Sequence, residues 1–233
     1  RDCLLSRGLG DVYKRQDDQE QFILDCINKK NCSLGFLPTA SNDDSSKTKL
    51  FYKRFEISGL IVSHFNLISS VKGFENWLSN LDVVYVGGGN TKFMLKYWKE
   101  NNLIGLFKEV YNSGIILSGV SAGAACWFDH FLTDSDGPGF KSMNGIGLLT
   151  GSFTPHYSDS KRAEKYRENI KNKTLPDGIA VDDGVAVLFI DGKPTEVYSS
   201  RKGHNAYFVN QNLSLIHISE PKRQEAISYA VFC

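Results

Sequence analysis

Between residues 17 and 130, short apolar runs alternate with amphipathic stretches at helical spacing. No other feature constrains the fold as much. Strands that are each followed by a helix run parallel, because the chain must cross back over the sheet before the next strand begins. The runs 33–39, 59–67, 81–86 and 115–120 read as strands, and 17–28, 47–55, 74–81, 91–101 and 103–112 read as helices. In the first helix Phe22, Ile23, Cys26 and Ile27 share one face. Beyond residue 130 the pattern changes. Residues 178–190, 195–200 and 206–209 read as extended, with Asp191-Gly192 suited to a hairpin turn. The expectation is an α/β fold: a three-layer sandwich with a mainly parallel sheet.

The two ends differ from the rest. One DNA sequence that encodes DVYKRQ, residues 11–16, has a reverse complement that encodes LSLIHI, residues 213–218. Both resemble the transposon end used to prepare sequencing libraries. Residues 1–16 and 213–233 are therefore expected to be foreign, leaving a single α/β domain over 17–212, truncated at both ends. Of the five cysteines, Cys26, Cys32 and Cys126 lie in that domain without a paired framework. Scattered thiols fit a reducing cytoplasm. The 27 basic and 26 acidic side chains give a formal charge of +1, so a nucleic-acid or membrane partner is not favoured. No apolar run reaches the roughly 18–20 residues of a membrane span.

The run ending at Val120 leads into Gly119-Val120-Ser121-Ala122-Gly123, a G-x-S-x-G pattern. At a sharp strand-to-helix turn a serine hydroxyl is aimed away from the sheet. Small residues two positions to either side keep strand and helix from colliding. Such a serine needs a base. His156 is favoured, in the loop TPHYSDS between an apolar segment and a helix. His64 sits in an apolar strand pattern and reads as packing. His130 falls at the far end of the helix expected after Ser121, and His204 reads as solvated. The imidazole needs an orienting acid. Asp134 and Asp136, in TDSD, lie between serine and histidine in the chain. Asp129 reads as part of the helix after Ser121. Asp182 and Asp183, at a strand end, rank behind the TDSD pair.

An oxyanion needs two donors. Ala122 N–H follows the nucleophile directly. Gly87-Gly88-Gly89-Asn90 could supply the other, because glycines let backbone approach a substrate closely. The glycines lack the spacing of a dinucleotide fingerprint or a P-loop.

Taken in order, VGGGNT at 86–91, SGVSAGA at 118–124, TDS at 133–135 and GIGLL…TPHY at 145–157 resemble the peptidase E family of serine peptidases. LPTASND at 37–43 and IAVDDGVAV at 179–187 extend the likeness across most of the chain. That family includes aspartyl dipeptidases and is related to cyanophycinases. The resemblance implies a fold like the class I glutamine amidotransferases. It matches Ser121 to the nucleophile, His156 to the base, and Gly89 and Ala122 to the oxyanion donors. Asp134 is the expected acid and Asp136 the alternative. A small peptide is the implied substrate, and an Asp-X preference would call for a cation near it. Asn90 and Arg162, with Lys161 beside it, are the candidate substrate contacts. No metal or other cofactor is called for. Two other readings stay open: a binding module that holds an anion in the GGGNT loop, and an esterase of α/β-hydrolase type.

Overall fold

The computed structural model describes residues 31–55, 60–212, 215–217 and 229–232. Segment 1–16 and the helix expected over 17–28 lie outside the described residues. In chain order the elements are β1 (Cys32–Leu37), α1 (Ser45–Phe55), β2 (Leu60–His64), α2 (Phe74–Ser79), β3 (Val83–Val86), α3 (Thr91–Glu100), α4 (Ile104–Asn112), β4 (Ile116–Val120) and α5 (Ala122–Ala125). Then come β5 (Phe128–Thr133), β6 (Lys141–Asn144), β7 (Leu149–Thr154), α6 (Ser160–Lys171), β8 (Gly178–Val181), β9 (Val185–Ile190), β10 (Lys193–Ser199), β11 (Ala206–Val209), β12 (Leu215–His217) and β13 (Tyr229–Phe232).

The first half follows the alternation. β2, β1, β3 and β4 lie side by side, all parallel. β13 runs parallel to β4 and antiparallel to β9, and β10 closes the seven-stranded sheet. β12 and β13 both fall in the segment set apart as foreign. The β9–β10 hairpin turns at Asp191 and Gly192, both at positive φ (50° and 74°), which matches the twist of the flanking strands.

The second half holds a feature the alternation does not reveal. A second sheet runs β12-β11-β8-β7-β5-β6, with β5, β7 and β8 parallel. The result is a mixed α/β fold whose first sheet is mainly parallel and whose second holds a parallel centre flanked by antiparallel strands. The helix expected to run from Ser121 toward His130 stops at Ala125, and the chain enters β5 instead. Burial explains the switch. Phe128, Phe131 and Leu132 are each 1% exposed or less, in a segment rich in aromatic residues that suits a strand between two partners.

One large apolar cluster joins the sheets: Val84, Val86 and Leu117 from the first meet Phe128, Phe153 and Val181 from the second. Met94 and Trp98 of α3 and Phe107 of α4 complete it. Two smaller clusters form elsewhere, one with Phe51 and Phe55 of α1 over Phe36 and Tyr85, the other with Tyr166 and Ile170 of α6 near Leu132 and Ala180. Both sheets are thus pinned to a common interior, and the C-terminal ends of β4 and β7 are held at a fixed separation. No described helix is long and apolar enough to cross a membrane.

Candidate active site

Ser121 is placed by steric necessity. It joins β4 to α5 at φ 53° and ψ −106°, outside the regions ordinary side chains favour. Holding a serine there costs on the order of 1–3 kcal/mol, supplied by its surroundings. The neighbours can only be small. A Cβ on Gly119 would lie 2.2 Å from the Gly123 carbonyl oxygen, and one on Gly123 would lie 2.1 Å from that of Val86. Adding a methyl at either site would force strand and helix apart, at a cost on the order of 1–3 kcal/mol or more.

His156 comes from the other sheet. It follows β7 at a positive φ of 55°. Tyr157 N–H donates to the Val181 carbonyl at 3.0 Å, tying this loop to the end of β8. Two residues beyond that strand stands Asp183. His156 Nε2 lies 2.9 Å from Ser121 Oγ, and Nδ1 lies 2.5 Å from Asp183 Oδ1. A hydroxyl, an imidazole and a carboxylate therefore form one continuous hydrogen-bonded chain. All three are partly exposed, so the chain faces an approachable surface.

Asp183 is braced on its far side. Ser158 Oγ–H donates to Asp183 Oδ2 at 2.9 Å, and Asp183 N–H returns a bond to Ser158 Oγ at 3.3 Å. His204 Nδ1 lies 2.8 Å from the Asp183 carbonyl, so this ring is engaged in the site, contrary to its reading as solvated. Burial disfavours the charged carboxyl. Hydrogen bonds from His156 and Ser158, with the charges of His156 and Arg201, outweigh that and hold it below the usual carboxylate range.

The acids favoured from the sequence stand elsewhere. Asp134 Oδ2 pairs with Arg162 Nη2 at 3.0 Å. Asp136 pairs with Lys92 and, at 3.8 Å, with Lys141, and the bond to Lys92 leads the effects that lower its pKa. Cations satisfy both, and His156 Nδ1 is occupied by Asp183. Asp129 lies in β5 and accepts from Gly151 N–H. Asp182 is 6% exposed and accepts from Asn205 N–H and Tyr207 O–H, bracing the loop from within.

Arg162, expected to contact substrate, is 5% exposed, with its guanidinium on Asp134, near the Leu132 carbonyl and over the Phe140 ring. Lys161 borders an open hollow of about 630 Å³ with Ser158, Asp183 and His204. His130 sits in β5 beside Asn144, and His64 is bonded to Tyr52, matching its packing role.

The glycine loop lies against Ser121. A Cβ on Gly88 would stand 3.4 Å from Ser121 Cβ. Gly89 has φ 149°, and a Cβ there would fall 2.2 Å from the Ala40 carbonyl oxygen, so only glycine fits. Asn90 N–H anchors the loop to that same carbonyl at 2.7 Å. The Asn90 side chain, expected to touch substrate, caps α3 by accepting from Phe93 N–H at 2.8 Å. Ala122 N–H, at the first position of α5, has no acceptor within its own helix. Ala122 follows Ser121 in the chain, and Gly88, beside Gly89, is the loop residue packed against it.

Only VDDG at a strand end pointed to Asp183. In open α/β sheets, sites form at the carboxyl ends of strands, and that rule favours it no more than TDSD, which also follows a strand.

Comparison with known proteins shows the family. The family model described as Peptidase family S51 matches residues 3–197. The chain is 40% identical over 192 residues to the uncharacterized peptidase YgaJ of Bacillus subtilis, covering 82% of this chain and 83% of that one. It is 26% identical over 200 residues to Peptidase E of Haemophilus influenzae, covering 82% and 88% respectively. Among solved structures, a peptidase from an acI-B1 Actinobacterium superposes with a TM-score of 0.67 at 16% identity, over 88% of each chain, a likeness of fold.

Proposed function

Because the chain belongs to peptidase family S51, we propose that it is a serine peptidase that hydrolyses short peptides through Ser121, His156 and Asp183. The single observation that carries this reading is the chain of bonds at 2.9 and 2.5 Å from the strained serine to the carboxylate. Ser121 Oγ attacks the scissile carbonyl and forms the C–O bond as its proton passes to His156 Nε2. Asp183 holds the Nδ1–H tautomer and stabilises the imidazolium that forms. The carbonyl oxygen, now an oxyanion, is received by the N–H groups of Gly89 and Ala122. Each such donor is typically worth about 2.7–4 kcal/mol in the transition state. The C–N bond then breaks, and the amine leaves with the proton from Nε2. Water, deprotonated by the same nitrogen, releases the acyl group and restores the serine.

An Asp-X preference, implied by the resemblance, would ask for a cation on the acyl side. Arg162 is committed to Asp134, and Lys161 stands on the His156 side, where the leaving amine must lie. The reading is therefore short-peptide hydrolysis without a commitment to aspartate. Cys126 is a buried free thiol, which fits a reducing compartment such as the cytoplasm.

The test is covalent labelling with a fluorophosphonate together with hydrolysis of a dipeptide panel. Labelling should map to Ser121 and disappear in Ser121→Ala, and either Ser121→Ala or His156→Ala should lower kcat by on the order of 10⁶-fold. Labelling that persists in Ser121→Ala removes the proposal.

A further inference from the structure

We infer that the concavity on the α1 side of the nucleophile receives a large apolar side chain, aromatic or long aliphatic, from the acyl half of the substrate. This rests on the reading of Ser121 as nucleophile. The cavity has a volume of about 190 Å³. Its walls are the rings of Phe36, Phe51 and Tyr85, and it reaches Gly87, Gly88 and Val120, the residues that end β3 and β4.

Three observations lead to this assignment. The first is proximity. Val120 precedes Ser121 directly, and the Cβ position of Gly88 falls at van der Waals distance from Ser121 Cβ, 3.4 Å. Gly87 and Gly88 carry no side chains, so no side chain of theirs stands between cavity and hydroxyl. The Phe36 ring packs close enough to Gly87 that a Cβ there would sit 3.0 Å from its edge.

The second is direction. The leaving amine must face His156 Nε2 to collect its proton. The described lining of this cavity contains no residue of the His156 loop or of the Asp182-Asp183 turn. Those loops border the open hollow that holds Ser158, Lys161 and His204. The aromatic cavity therefore serves the acyl half.

The third is chemistry. Phe36 stacks on Phe51 at 4.4 Å between centroids, and Phe51 meets Tyr85 at 5.5 Å. Lys47 and Arg54, both exposed, border the cavity beside these rings. An apolar side chain placed among the rings exchanges water for ring surface, whereas a carboxylate there gives up hydration.

The experiment uses the full chain and four amide substrates that share one leaving group and carry Phe, Leu, Ala or Asp on the acyl side. A single methylene in an apolar pocket is worth about 10- to 200-fold. kcat/KM for Phe and Leu should therefore exceed that for Ala by about tenfold or more. Leu50, at the rim and 44% exposed, is changed to Trp to occupy the mouth. Leu50→Trp should cut kcat/KM for the Phe substrate about tenfold more than for the Ala substrate. Lys47→Gln should leave the Phe-to-Ala ratio in place. Fluorophosphonate labelling of Ser121 in each variant reports that the site is assembled. Equal rates for Phe and Ala, a uniform loss across substrates in Leu50→Trp, or a preference for Asp that Lys47→Gln abolishes would each overturn the inference while the nucleophile stands. Wild-type protein that is not labelled at Ser121 would remove the nucleophile and this inference together.

Discussion

Two loops flank the histidine, and they are alike on paper. β7 lies between β5 and β8, all parallel, so the turns after β5 and β8 emerge on either side of the one that carries His156. The turn after β5 carries Asp134 and Asp136, and the turn after β8 carries Asp182 and Asp183. Each offers two carboxylates at the end of a strand. What separates them is the company each keeps. Arg162 of α6 reaches Asp134, while Lys92 and Lys141 reach Asp136. Thr91 N–H donates to Ser135 Oγ at 3.2 Å, drawing the β5 turn toward α3. In the β8 turn one carboxylate is turned inward onto Asn205 and Tyr207, and the other meets the imidazole and a hydroxyl. A carboxylate can orient a base only when no stronger cation has claimed it.

The sharpest break of this comparison is to neutralise the β8 acid. Asp183→Asn keeps the shape but removes the charge and replaces one carboxylate oxygen with an N–H donor that favours the wrong imidazole tautomer. It should lower kcat on the order of 10⁴-fold with little change in KM, as loss of the orienting carboxylate does in Ser-His-Asp sites. Steady-state kinetics on a dipeptide decide it, and a wild-type kcat would move the acid back to the other turn.

A finer test leaves the acid and removes its brace. Ser158→Ala deletes the hydroxyl that holds Asp183 Oδ2. A loss of about 1 kcal/mol is expected, roughly fivefold in kcat. Ser158→Thr, which keeps the hydroxyl, should restore most of it. Rescue by threonine separates a positioning bond from a general loosening of the loop.

The smallest effects belong to the β5 turn. Asp134→Asn and Asp136→Asn should each change kcat/KM by less than about twofold, a magnitude expected for groups outside the bonded chain. Asp134→Asn leaves the Arg162 guanidinium without its carboxylate. Because Asp134 itself is 64% exposed, the cost should be only about 1 kcal/mol, read as a lower Tm. Asp136→Asn, an exposed pair, should cost less still. A kinetic collapse in Asp134→Asn with Asp183→Asn unaffected would reverse the assignment.

Much was legible in the chain alone. The alternation to residue 120 dictated parallel strands, since helices that cross back over a sheet permit no other arrangement. G-x-S-x-G dictated the sharp turn at Ser121, because contacts of about 2 Å leave no room for a side chain at Gly119 or Gly123. Asp191-Gly192 dictated its hairpin through positive φ. Local sterics and periodicity act over a few residues, so a sequence displays them openly. The second sheet was less visible, since Phe128 to Thr133 carries no regular alternation and its partners lie far along the chain. The choice of acid belonged wholly to the tertiary structure. It depended on Arg162 and Lys92, brought by α6 and α3 to Asp134 and Asp136, and on the pairing of β7 with β8 that sets His156 against Asp183. Charge partners are selected by distance in space, and that distance exists only once the sheets have closed on their common core.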